Sequence, residues 1–136
     1  MCWSRGSEIM VNAYEDDCYV ELSFIAGADL SAKQYYLVEM SADQTVTVAN
    51  ATTDKIVGVL QNKPTAGQIA RVRVHGVTRV VCNGAVTYGQ FVGPHTDGTA
   101  IAVTADKKRI TGVCLVGGTG TQFATILLTC RGFISA

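Results

Sequence analysis

Residues 37–74 read LVEMSADQTVTVANATTDKIVGVLQNKPTAGQIARVRV, and residues 91–128 read FVGPHTDGTAIAVTADKKRITGVCLVGGTGTQFATILL. The two stretches align at an offset of 54 residues without a gap. Ten of their 38 positions are identical, among them Asp43/Asp97, Ile56/Ile110, Gly58/Gly112, Val59/Val113 and Gln68/Gln122. Leu37/Phe91, Lys55/Arg109, Ile69/Phe123 and Val72/Ile126 are conservative exchanges. Self-similarity at a fixed spacing marks a supersecondary unit that buries its apolar face against a neighbouring copy.

Within the unit the pattern is β. A strand is expected over 36–40, then a turn at 41–44 matched by 96–98. An alternating strand over 45–49 follows, with Val46 and Val48 on one face. A polar loop, 50–55, leads to a strand over 56–61, and Pro64-Thr-Ala-Gly67 is a turn signal. The last strand starts at Ile69 and runs on through Gly76 to Cys82. No stretch has a 3.6-residue apolar period; only Leu30 to Gln34, after Asp29, suits a single helical turn. Fourteen Gly against two Pro fit tight turns between strands. The expected fold is all-β: a small barrel or sandwich built from two similar units of about 45 residues each.

The chain has 136 residues, enough for one domain. It divides into an N-terminal arm, residues 1–26, and a β domain, residues 27–136, that contains both units. The arm carries Trp3, Ile9, Met10, Tyr14 and Tyr19. That is too apolar for a free tail, so the arm either adds a strand to its own subunit or docks on a neighbour.

Hydrophobic residues make up 48% of the chain and charged residues 16%, against roughly 25% in soluble domains. Eleven basic side chains balance eleven acidic ones. A neutral, charge-poor chain lacks the broad basic surface of a nucleic-acid binder, so no nucleic-acid partner is expected. No apolar run approaches the roughly 18 to 20 residues that span a bilayer, and no membrane partner is expected. The first ten residues, MCWSRGSEIM, lack the apolar stretch of a signal peptide, which predicts a protein made and kept in a cytoplasm.

The candidate chemistry is sparse. Cysteines stand at 2, 18, 82, 114 and 130, with no C-x-x-C pair. Structural zinc sites need such short spacings, so no metal and no cofactor is expected, and the cysteines read as small buried hydrophobes. Cys114 matches Leu60 in the other unit, a core position. Gly117-Gly-Thr-Gly120 lacks the Lys-Ser/Thr ending of a phosphate loop and aligns with the plain turn Lys63-Pro-Thr-Ala66. His75 and His95 have no ligand spacing, and no G-x-S-x-G is present. Asp43 and Asp97 sit in turns, where Asp caps its own backbone. No catalytic residue is assigned, and the protein is not expected to be an enzyme. One surface stands out: Arg71, Arg73 and His75 alternate along one strand face, where the other unit has Thr125, Leu127 and Thr129. The candidate interface residues are therefore Trp3, Ile9, Met10, Tyr14, Tyr19, Arg71, Arg73 and His75.

Ala26-Gly-Ala-Asp-Leu-Ser-Ala-Lys-Gln-Tyr35, Ile56-Val-Gly-Val-Leu-Gln-Asn-Lys-Pro64, Ala66-Gly67 and Val74-His-Gly-Val77 resemble motifs of the tailed-phage capsid decoration (cement) proteins of the DUF2190 type. Val86-Thr-Tyr-Gly-Gln-Phe-Val92 resembles a further segment of that family. The resemblance implies a small β-rich virion protein on the outside of an icosahedral head. It implies binding to the major capsid protein, often as a homotrimer, and reinforcement of the shell. A carbohydrate-binding β module on the virion surface and a small β-barrel enzyme are the alternatives.

Overall fold

The computed structural model describes residues 19–52, 55–104 and 110–128. Among them are nine strands and no helix. In chain order these are β1 (Val20–Ala26), β2 (Leu37–Ala42), β3 (Thr45–Val48), β4 (Ile56–Leu60) and β5 (Ile69–Val81). They are followed by β6 (Phe91–Pro94), β7 (Ala100–Ala102), β8 (Gly112–Val116) and β9 (Phe123–Leu128). The Leu30–Gln34 segment forms a hydrogen-bonded turn, with the Lys33 N–H on the Leu30 carbonyl, rather than a helical turn. The side chain of Asp29 accepts the Ser31 N–H (3.0 Å) and holds that turn without a helix after it.

The first five strands close a barrel. Their order is β1-β3-β2-β4-β5, and β5 returns to pair with β1. β1 and β3 run parallel; every other neighbour is antiparallel. Four more strands continue from β5 in the order β9-β8-β6-β7. Val20–Ala26, expected within an arm, is a barrel strand: it pairs with β5 over Leu22↔Val72 to Ile25↔Ile69 and with β3 at Ile25↔Thr45. An edge strand this apolar is satisfied most cheaply by the open edges of β3 and β5 in its own chain.

The strand register recurs along the chain. Leu37↔Val59, Val38↔Val48 and Leu60↔Val72 in the barrel correspond, 54 residues on, to Phe91↔Val113, Val92↔Ala102 and Cys114↔Ile126. The positive φ of Tyr35 and Gln44 recurs at Gly89 and Gly98. One strand does not fit that offset. The part played by β1 against β5 is played against β9 by the second half of β5 itself, with Thr78↔Ile126 to Val81↔Phe123. Relative to β1 the shift is 56 residues: Leu22 corresponds to Thr78, and the parallel pair Ala26↔Val46 to the single parallel bridge Cys82↔Ala100. β5 therefore ends one five-stranded circuit and begins the next. Gly76, at φ 103°, stands at the handover, where the partner changes from β1 to β9.

Two apolar cores follow. The first contains Ala26, Leu30, Val38, Val46, Leu60, Ala70 and Val72. The second contains their counterparts Cys82, Val86, Val92, Ala100, Cys114, Ala124 and Ile126. Three further residues of the first circuit, Leu37, Ala49 and Val59, join the second core. They lie on the outside of the barrel, because neighbouring side chains Val38 and Leu60 point into it. The outer face of β2 and β4 is thus the seam by which the two circuits pack.

Candidate interaction surfaces

The alternation of β5 puts Val72 in the barrel core and Arg71, Arg73 and His75 on its outer side. The structure brings Arg71 and Arg73 together around Glu21 of β1. Arg71 Nη2 lies 2.6 Å from Glu21 Oε1, and Arg73 donates from Nε (3.2 Å) and Nη2 (2.8 Å) to Glu21 Oε2. Arg73 also donates from Nη1 to the Val77 carbonyl at 2.7 Å. The ring of Tyr19 stacks on the Arg73 guanidinium, 3.9 Å from its centroid. Arg73 and Glu21 are largely buried by this arrangement, at 13% and 11% side-chain exposure, while Arg71 remains 60% exposed. The expected basic face is thus a charge-paired cluster joining β1 to β5. Sequence reasoning missed Glu21 because it placed residues 1–26 in an arm. The signal was present: Glu21 alternates with Leu22 in a strand-like run. His75 is exposed beside this cluster. Trp3, Ile9, Met10 and Tyr14 lie outside the described residues.

The other candidate groups have structural surroundings. Asp97 Oδ1 accepts the Thr99 N–H (3.1 Å) and the Thr99 hydroxyl, and His95 Nδ1 is 3.2 Å away. Partial burial disfavours the charged carboxylate, but the bonds from Thr99 and His95 outweigh it and take the pKa down to about 2. Asp43 has no such role for its carboxylate: there the Thr45 hydroxyl bonds the Asp43 carbonyl. The two aspartates belong to separate turns, one after β2 and one after β6. Cys82 and Cys114 are buried and free, and burial pushes both thiols up, with mutual repulsion adding to the effect at Cys82. Among the described residues no three His, Cys, Asp or Glu side chains cluster as metal ligands.

The remaining feature is apolar. Leu22, Ile25, Met40 and Ile69 on the first circuit are exposed, as are Tyr88, Phe91, Phe123 and Leu127 on the second.

The described residues define a small all-β protein of one closed barrel extended by four strands. Neither a family model nor a curated protein matches the sequence. Among solved structures, the fold is similar to that of the head fiber gp8.5 N base of bacteriophage phi29, with a TM-score of 0.64. The match is 16% identical and covers 82% of this chain and 95% of that one.

Proposed function

We propose that this protein is a structural component of a phage virion that sits on the outer surface of the head. The observation that carries the reading is the fold shared with a head fiber base over 82% of the chain. The sequence stretches that resemble capsid decoration proteins point the same way, without a matching family model. The apolar, charge-poor composition fits a surface spent on protein contacts.

In this reading the protein acts by linkage. A protein that binds only the assembled shell stabilises it by RT ln(1 + [L]/Kd), about 2.7 kcal/mol per site at a free concentration of 100 Kd. The partner is the major capsid protein, and the protein assembles as a homotrimer whose subunits each touch a different capsid chain, adding avidity. The segment with Trp3, Ile9, Met10 and Tyr14 contributes the grip on the shell, by adding main-chain pairing and apolar anchors to it. His75 and the exposed Arg71 lie at the rim of the contact. No substrate is turned over.

The test is decoration of purified heads that lack the protein. Added protein should bind at saturable sites and raise the melting temperature of the heads, and protein lacking residues 1–18 should fold but bind weakly. Heads left bare and unshifted in melting temperature would overturn the reading. Binding of the same protein to a glycan array would then favour the carbohydrate-binding alternative.

A further inference from the structure

The outer face of the second circuit carries one continuous apolar row. The cross-strand pairs Val77↔Leu127, Val113↔Leu127 and Phe91↔Val113 line it up across β5, β9, β8 and β6. Val92, Cys114 and Leu128 point into the second core, so their chain neighbours Phe91, Val113 and Leu127 point outward. Phe91 is 46% exposed and Leu127 37%. The corresponding row on the first circuit is Glu21, Arg73, Val59 and Leu37. There the second circuit leaves Leu37 and Val59 with no exposed surface. The same position in the fold is thus packed once and open once.

One end of the open row is basic. On β5 the exposed side chains His75 and Arg79 flank Val77 on the same strand face. Beside them, Glu21 is shared between Arg71 and Arg73, which leaves that cluster a net positive charge. The chain enters the fold at this end: Tyr19 stacks on Arg73, whose Nη1 donates to the Val77 carbonyl. The sequence that precedes Tyr19 has the complementary order. Glu15-Asp-Asp17 stands nearest, with three carboxylates, and Ile9-Met-Val-Asn-Ala-Tyr14, largely apolar, comes before it.

We propose that residues 9–17 of the same chain cover this face in the free protein. Glu15, Asp16 and Asp17 meet the basic end on β5, and Ile9, Met10 and Tyr14 run along Leu127, Val113 and Phe91. The reach fits. Four strands span three spacings, about 14 Å at ~4.8 Å each. Residues 9–14 extend to about 20 Å at ~3.3 Å each. A segment tethered at the edge of the face acts at an effective concentration on the order of millimolar, so any other apolar partner has to compete with it. The inference concerns the free protein and does not depend on head binding. Joined to the proposed function, it means that the grip is stowed on the second circuit until a head displaces it.

Hydrogen exchange of the full-length protein tests it. Amides of residues 9–14 should exchange about tenfold or more slower than in a free peptide of the same sequence. Phe91→Glu combined with Leu127→Glu should return them to the peptide rate. Both positions are exposed, and a thermal melt with the exchange of β2 to β5 establishes that the variant is folded. If it is not, Phe91→Thr with Leu127→Thr removes the apolar contact without adding charge. Glu15→Lys, Asp16→Lys and Asp17→Lys together should also speed the exchange. Wild-type amides that exchange like the peptide overturn the proposal. So does protection that survives intact in the folded face variant or in the charge-reversed one. Protection that rises with protein concentration assigns the face to a second copy and overturns it too. Head binding is scored separately. Unprotected residues 9–14 in a protein that decorates heads remove the cover alone. Protected residues 9–14 in a protein that leaves heads bare remove the decoration reading alone.

Discussion

Glu21 accepts from both Arg71 and Arg73, and the two arginines do not depend on it equally. Arg73 is nearly enclosed by Tyr19, Glu21 and the Val77 carbonyl, whereas Arg71 is mostly in water. Removing the carboxylate leaves a largely buried guanidinium short of its counter-charge, and such losses cost more than exposed pairs do. Glu21→Gln should therefore destabilise the protein by about 1–3 kcal/mol in urea unfolding, against less than about 1 kcal/mol for Arg71→Ala. Equal costs would mean that burial of the cluster is irrelevant. Asp97 gives a pH signature. Its pKa is lowered in the folded state from 3.8 to about 2, so its contribution is present above the unfolded value. It is lost as pH falls from about 4 through 2. Asp97→Asn should flatten the acid limb of stability over that window, and an unchanged limb would contradict the assignment. A third residue, Gly112, repeats Gly58 in sequence for a steric reason. A Cβ on Gly58 would run into the carbonyl oxygen of Arg73, and one on Gly112 into that of Leu127. Both obstacles are backbone and cannot swing away, so each Gly→Ala change should cost at least the 1–3 kcal/mol typical of overpacking.

At the scale of strands, the sequence was most readable where one offset held. Once Leu37↔Val59 is known, Phe91↔Val113 follows from the 54-residue match, and the core position of Cys114 follows from its correspondence with Leu60. β1 was not readable in the same way. Its counterpart is the second half of β5, at a shift of 56, because the connection from Gly27 to Tyr36 is two residues longer than that from Asn83 to Gln90. A gapless comparison stops at that step, so the sequence left two places for this segment, a strand of its own subunit or a contact with a neighbour, and β1 takes the first. The partner of the arginine face was out of view for the same reason: Glu21 lies on that strand, about fifty residues away in sequence. The placement of β1 carries its own prediction. The described strands close the barrel from Val20 onward, so protein lacking residues 1–18 should melt as a folded domain. Protein lacking residues 1–26 exposes the edges of β3 and β5 and the core beneath them, and should lose its cooperative melt. If both truncations fold alike, β1 is not a stave of the barrel.

The described residues form two cores with one long strand in common. β5 belongs to both circuits, and the second core is completed by Leu37, Ala49 and Val59 from the first. Neither circuit can open alone without stripping apolar surface from the other. Fully burying a Leu or Val side chain is worth about 1.5–3 kcal/mol, so uncovering these residues would cost several kcal/mol, comparable with the entire stability of a small domain. The two circuits should therefore unfold together. Calorimetry should give one transition whose van't Hoff and calorimetric enthalpies agree. The buried thiols provide a second probe of the same event. Cys82 and Cys114 lie in the second core, with their ionisation opposed by burial, so they should resist a thiol reagent in the native state. Their exposure during a urea titration should coincide with the change in circular dichroism, which reports strands of both circuits. Two separated transitions, or thiols that react while the barrel signal persists, would show that β5 joins two independent domains. Replacing Leu37 with Ala then asks whether the seam is the coupler. That change should lower the free energy of unfolding by the roughly 2–5 kcal/mol of a large-to-small core substitution, with a lower midpoint, and begin to split the transition. A Leu37→Ala protein that still unfolds in one step at an unchanged midpoint would place the coupling in the shared strand alone.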